Sequence, residues 1–172
     1  MTNHDCNDHC SDFLATTAKP YHFLDSGLPN VYLAGIKFWR CEKCAKKWAS
    51  IPAPEQLMNL IAESIVMKPA LLSGSEIKFL RKRVGKKAAD FAELINKNPQ
   101  HFSKLETDTL PLKEPTDKLI RLTYGMLSGN TALMSKIASS VEQWLKSIRG
   151  KKPRAIKLKN KNNHWVSESV AA

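Results

Sequence analysis

The chain lacks a long apolar run. No stretch approaches the ~20 apolar residues that a membrane-spanning helix needs, so no membrane partner is expected. The first residues, Met-Thr-Asn-His-Asp-Cys, are polar and acidic and do not resemble a secretory signal, so a cytoplasmic location is expected. Acid is scarce: 16 Asp and Glu stand against 27 Lys and Arg, a net charge of +11. Catalytic groupings are missing as well. There is no Ser/His/Asp set, no open metal site and no phosphate-cradling loop, which predicts a non-enzyme with no small-molecule substrate. No internal repeat is visible. Cysteine is limited to four residues, and in a reducing compartment paired cysteines read as metal ligands more readily than as disulfides.

Those four fall in two close pairs, Cys6/Cys10 and Cys41/Cys44. Each pair can offer two thiolates from one tight turn, and the intervening chain can bring the turns together, as a tetrahedral zinc site requires. Cys41-Glu42-Lys43-Cys44 has the usual two-residue gap, with Lys43, Lys46 and Lys47 nearby to favour the thiolate form. The first pair has a gap of three, so Cys6/His9 is a competing knuckle, and His4 and His22 are further spares. Four protein ligands close the coordination sphere, which makes the expected Zn2+ structural. A redox role for Cys41 and Cys44 is the second reading, although the strand-to-helix context of a thioredoxin-like pair is missing. Four incidental thiols are the third.

The positive charge is unevenly spread. Residues 1–70 hold seven basic and seven acidic side chains, residues 71–127 eleven and seven, and residues 128–172 nine and two. Such asymmetry points to a polyanion partner, nucleic acid first. A solvated surface with a solubilising tail is the plainer alternative.

Residues 1–52 read as short strands and turns. Val31-Tyr32-Leu33 and Ile36-Lys37-Phe38-Trp39 flank Ala34-Gly35, which predicts a hairpin, and Lys47 to Ile51 reads as a returning third strand. Residues 53–70 are a connecting helix that opens at Pro54 or Glu55 and follows Leu57, Leu60, Ile61, Ser64 and Ile65 towards Met67. Residues 71–127 predict four short helices. Ser73 or Ser75 caps the first, Ile77, Leu80 and Val84 line its inner side, and Gly85 ends it. The second turns Phe91, Ala92 and Ile95 inward, and Asn96 suits a left-handed turn. Asn98-Pro99 reads as the cap and first residue of the third, with Phe102 and Leu105 buried. Pro115 opens the fourth, which runs through Leu119, Leu122 and Leu127. Residues 128–150 place Leu133, Ile137, Val141, Leu145 and Ile148 at helical spacing, a stripe that either packs back or meets a second chain. Residues 151–172 begin with a basic run and are expected to remain disordered.

The stretch from Gly85 to Glu106 resembles the helix-turn-helix of the Xre/Cro repressor class without gaps. Phe91-Ala92-Glu93-Leu94, the Asn-Pro-Gln helix start and Ser103-Lys104-Leu105-Glu106 carry the match. Together with an N-terminal cysteine-pair module, and with Ser26-Gly27-Leu28-Pro29-Asn30-Val31-Tyr32-Leu33 ahead of Cys41-Glu42-Lys43-Cys44, the layout is similar to YgiT-type zinc-finger proteins, the MqsA-like antitoxin group. The likeness covers about residues 4–127 and implies a mixed fold. That fold has a β-rich zinc-ribbon-like module and an all-α, lambda-repressor-like helix-turn-helix domain. Here the extra C-terminal helix and basic tail lie outside it. Where the class carries Ser or Thr and then Gln at the start of its second helix, this chain has Lys87 and Ala88; Lys97 stands at a usually apolar turn position.

A helix opening at Pro99 sets Gln100, His101, Ser103 and Lys104 on one side, opposite Phe102 and Leu105. Asn98, Lys86 and Lys87 complete the expected contact set on double-stranded DNA, since Gln can read adenine and Lys can reach guanine or phosphate. The expected protein is a dimeric transcriptional repressor, with the resemblance adding a type II antitoxin role and a toxin partner. Two alternatives remain: an interaction adaptor with a degenerate helix-turn-helix, motivated by Ala88 and Lys97, and an RNA-binding zinc ribbon, motivated by the lysine tail.

Overall fold

The computed structural model describes residues 14–15, 20–40, 47–147, 156–161 and 164–167. These form a mixed α/β structure of two small sheets and six helices. The first sheet is antiparallel, with β4 (Lys37–Arg40) between β1 (Leu14–Ala15) and β5 (Lys47–Ser50). The second runs in the order β2 (Tyr21–His22), β3 (Val31–Ala34), β6 (Ile156–Lys161), β7 (His164–Ser167).

The hairpin expected across Ala34-Gly35 does not form. β3 and β4 are consecutive, yet they lie in different sheets. Both edges of β3 are already taken, by β2 antiparallel and by β6 parallel, so it has no backbone groups left for β4. Gly35 makes the crossing, with a φ of +71° that favours glycine. A Cβ at that position would lie 2.8 Å from the carbonyl oxygen of Asn160 on β6. The return of Lys47 to Ser50 as a third strand does occur, beside β4.

The disorder expected after Gly150 is also corrected for residues 156–161 and 164–167, which are strands. Ile156-Lys157-Leu158-Lys159 alternates apolar and charged residues, the period of a half-buried strand. Leu158 is fully buried, Trp165 is nearly so, and the indole Nε1 of Trp165 donates to the carbonyl of Pro52 at 2.8 Å. Composition alone hides this pattern, because every other residue of β6 is indeed a lysine in solvent. A parallel neighbour requires a crossover, and here all six helices lie within the chain that joins β3 to β6.

The helices start and stop where local chemistry directs. They are α1 (Pro54–Met67), α2 (Gly74–Arg83), α3 (Ala88–Leu94), α4 (Pro99–Glu106), α5 (Glu114–Leu127) and α6 (Thr131–Ser147). Ser73 and Glu76 form a reciprocal capping box on α2. Leu57, Ile61 and Ile65 of α1 face the core, which also takes Ile77 and Leu80 of α2, Phe91 of α3 and Phe102 of α4. On α5 the buried face is made mainly by Asp117, Ile120, Arg121 and Tyr124; of the three leucines only Leu122 packs against the core, while Leu119 and Leu127 are exposed. α6 packs Leu133 and Ile137 back onto α5, where a Cβ at Gly125 would come within 2.7 Å of Ile137. The side chains of Val141, Leu145 and Ile148 lie outside the described residues. No described helix is long and apolar enough to cross a membrane.

Arg121 and Asp117 are both 0% exposed. The guanidinium grips Asp117 through Nε at 2.9 Å and Nη2 at 3.2 Å. It also donates to the carbonyls of Val66 at 2.7 Å and Lys68 at 2.9 Å, and to that of Ala70. Asp117 Oδ1 accepts from the amide of Leu72 at 2.8 Å. Removing one partner of such a pair strands a buried charge. Arg121→Ala is therefore expected to cost about 3–5 kcal/mol in urea unfolding, and Arg121→Lys to recover little of it, because an ammonium cannot span the same acceptors. Trp165→Ala is expected to cost about 3–5 kcal/mol; a surface tail would give nearly none.

Candidate nucleic-acid interface

α3 and α4 pack through Phe91 and Phe102, whose ring centroids are 5.5 Å apart. The turn between them depends on Asn96, at φ +51°, a conformation that asparagine tolerates better than most residues. Lys97 is half-buried there, and its amide bonds the Ala92 carbonyl at 2.8 Å. Asn98 Oδ1 accepts from the Gln100 amide at 2.8 Å, so this side chain serves as the α4 cap. Pro99 follows at a position that needs no amide hydrogen.

Gln100, His101, Ser103 and Lys104 are all exposed, whereas Phe102 and Leu105 are buried. At 100° per residue the four polar side chains cover an arc of about 160°. Lys87 is exposed at the start of α3, and Lys86 is half-buried beside it. The structure thus brings four expected contact residues onto one face of α4. It gives Asn98 a structural task and puts Lys86 and Lys87 at the neighbouring helix start. Asp90 and Glu93 are exposed on α3.

Two features behind this face could not be read from local sequence. Arg81 of α2 makes a two-pronged ion pair with Glu106 at the end of α4, at 2.7 and 2.9 Å. Its Nη1 donates to the Lys86 carbonyl at 2.8 Å. One guanidinium therefore ties together the end of α2, the turn before α3 and the end of α4. Gly74 sits where the α2 start meets the α4 end: a Cβ there would lie 2.6 Å from the Glu106 backbone. Its amide donates to Asp108 Oδ1 at 2.6 Å. The only sequence signal for either was charge at Arg81 and Glu106, which solvent exposure would explain equally well.

Cys6, Cys10, Cys41 and Cys44, with His4 and His9, lie outside the described residues. Among the described residues no group of three or more His, Cys, Asp or Glu is arranged to hold a metal. Leu14 is paired with Trp39, and Trp39 with Trp48. The chain thus enters β1 at the end of the sheet where β4 finishes and β5 begins. Cys6 and Cys10 precede β1 in sequence, and Cys41 and Cys44 lie between β4 and β5. His22 belongs to the other sheet, with Nε2 2.8 Å from the Pro29 carbonyl.

A cleft of about 560 Å³ lies between the Leu24–Ser26 turn, the start of α1 and α2. Its charges are mixed, Asp25 and Glu55 against Lys78, Lys82 and Arg83. Arg83 is committed to Glu55 at 3.1 Å and Asn59 at 2.8 Å. Behind it, burial pushes the Tyr124 phenol above its ordinary value, with Arg83 pulling the other way. The Ser26 hydroxyl donates to the Phe23 carbonyl at 2.7 Å and accepts from the Leu28 amide at 3.2 Å.

Gly74→Ala is expected to destabilise the chain by about 1–3 kcal/mol, because the added methyl meets backbone that cannot swing aside. It is also expected to loosen α4, seen as faster amide exchange at Phe102 and Leu105 in the native state. Unchanged exchange would mean that α4 is held without this contact. No protein-family model, no curated protein and no solved structure matches this chain.

Proposed function

We propose that this chain is a zinc-containing, DNA-binding transcriptional regulator, a repressor, which reads duplex DNA with α4 of a helix-turn-helix formed by α3 and α4. The observation that carries the reading is the polar face of α4, held from behind by the Arg81–Glu106 pair. An α-helix fits a major groove, and the residues near its start reach base edges first. Gln100 and Lys104 are the base-reading side chains, His101 and Ser103 flank them, and Lys86 and Lys87 contact phosphate. A cytoplasmic location goes with this role. A second copy of the chain is the expected partner; Leu119, Met126 and Leu127, exposed on α5, support that choice. An antitoxin role with a toxin bound by the N-terminal module rests on the family resemblance.

The structural Zn2+ belongs to the same reading. Cys6, Cys10, Cys41 and Cys44 are the ligands, and four thiolates suit a closed tetrahedral site. Two cysteine pairs in one chain supply the four ligands that a single closed tetrahedral ion needs. The metal supplies stability that a three-stranded sheet this small lacks.

Sequence selection from random duplexes with the full chain tests the DNA role, and elemental analysis tests the metal. One zinc per chain is expected. Gln100→Ala and Lys104→Ala are expected to weaken binding to the selected site by about 1–3 kcal/mol each, with Glu93→Ala near neutral. If random duplexes lose as much affinity as the selected one, α4 does not read bases.

A further inference from the structure

The four-stranded sheet has a second face that the α4 reading does not use. Val31, Leu33, Leu158 and Trp165 point to the core. On the opposite side, alternation along β6 exposes Lys157, Lys159 and Lys161. Register extends this face across the sheet. His22 is paired with Tyr32, Tyr32 with Lys157, and Lys161 with His164. His22 and Tyr32 stack with centroids 4.7 Å apart and planes 14° from parallel. His22 and His164 are exposed and Tyr32 is half-buried. No acidic residue lies on the described part of this face, and none of the three lysines forms an ion pair with a described residue.

We infer that this face binds single-stranded nucleic acid. Three lysines at every second residue of a strand stand about 6.6 Å apart, a fixed row of positive charge suited to a phosphodiester backbone. The stacked His22–Tyr32 pair at one side offers an exposed imidazole on which an unpaired base extends the stack. Duplex DNA suits the surface less well. Four strands at about 4.8 Å spacing span about 14 Å between the outer two, wider than a ~12 Å major groove that admits a helix or a two-stranded ribbon. A duplex could meet this face only at its phosphates and would leave the aromatic pair unused.

The test is fluorescence anisotropy of the full chain with 12-nucleotide oligo(dT) and oligo(U) across a salt series. Substituting Lys157→Gln, Lys159→Gln and Lys161→Gln together is expected to weaken binding at least 10-fold. The slope of log affinity against log salt is expected to become shallower by about 2, since each single-strand phosphate contact contributes about 0.7. His22→Ala is expected to weaken binding roughly 10-fold with little change in that slope, the mark of a stacking contact. Lys113→Gln, at an exposed lysine outside both this face and α4, is expected to leave binding unchanged. If circular dichroism shows the triple variant unfolded, Lys159→Gln alone carries the test, with an expected slope change of about 0.7. Unchanged affinity and slope in a folded lysine variant would overturn the inference. So would equal or tighter binding of a 12-base-pair duplex through the same lysines. Capture by phosphatidylserine vesicles with neither oligonucleotide binding would overturn it in favour of a lipid surface.

Discussion

The buried Arg121–Asp117 pair is the contact on which the rest of the structure depends. A helix leaves its last carbonyls without partners, and the end of α1 is buried. Arg121 reaches from α5 and satisfies the carbonyls of Val66, Lys68 and Ala70. Asp117 neutralises the guanidinium and holds the amide of Leu72. Desolvating two such groups costs several kcal/mol each, and only this dense set of bonds offsets it. The return is positional. α1 is locked to α5 at one end, and its other end follows Pro52, which receives the Trp165 indole from the four-stranded sheet. Helices and sheet are thereby joined through one helix with both ends fixed.

A similar device operates at smaller scale under α4. Arg81 connects three segments, and Gly74 permits backbone contact that no side chain would allow. A surface helix of eight residues is too short to be stable on its own. Its orientation is imposed from the buried side, leaving Gln100, His101, Ser103 and Lys104 to be chosen for something other than stability. Polar side chains that hold nothing together, on a helix held this firmly, are the physical basis of the DNA-reading proposal.

Local chemistry was legible in the sequence. Ser73 caps α2, Asn98-Pro99 opens α4, and Asn96 is left-handed, as residue type and spacing imply. These signals act within one turn of the chain. Long-range pairing was not legible. Val31–Ala34 looks like half of a hairpin because its true partner, Ile156–Lys161, is over a hundred residues away. The lysines of β6 suggested a disordered tail because net charge averages over the alternation that makes it a strand. Arg121 and Asp117, four residues apart on a helix, look like an ordinary surface ion pair; only the tertiary structure shows them to be buried. Of the proposed sites, the α4 face followed from periodicity. The sheet face required knowing which strands are neighbours.

The parallel pairing of β3 with β6 also has a consequence during synthesis. Val31 leaves the ribosome about 125 residues before Ile156, an interval of roughly 6–25 s at 5–20 residues per second. Throughout it, one edge of β3 has unpaired amides and carbonyls, and the apolar face of Val31 and Leu33 is incompletely covered. The helices, dominated by nearby contacts, can assemble in the meantime. The nascent chain therefore passes through a stage with its helical part folded and a sticky strand edge open. β6 arrives near the end of synthesis, and its backbone closes that edge.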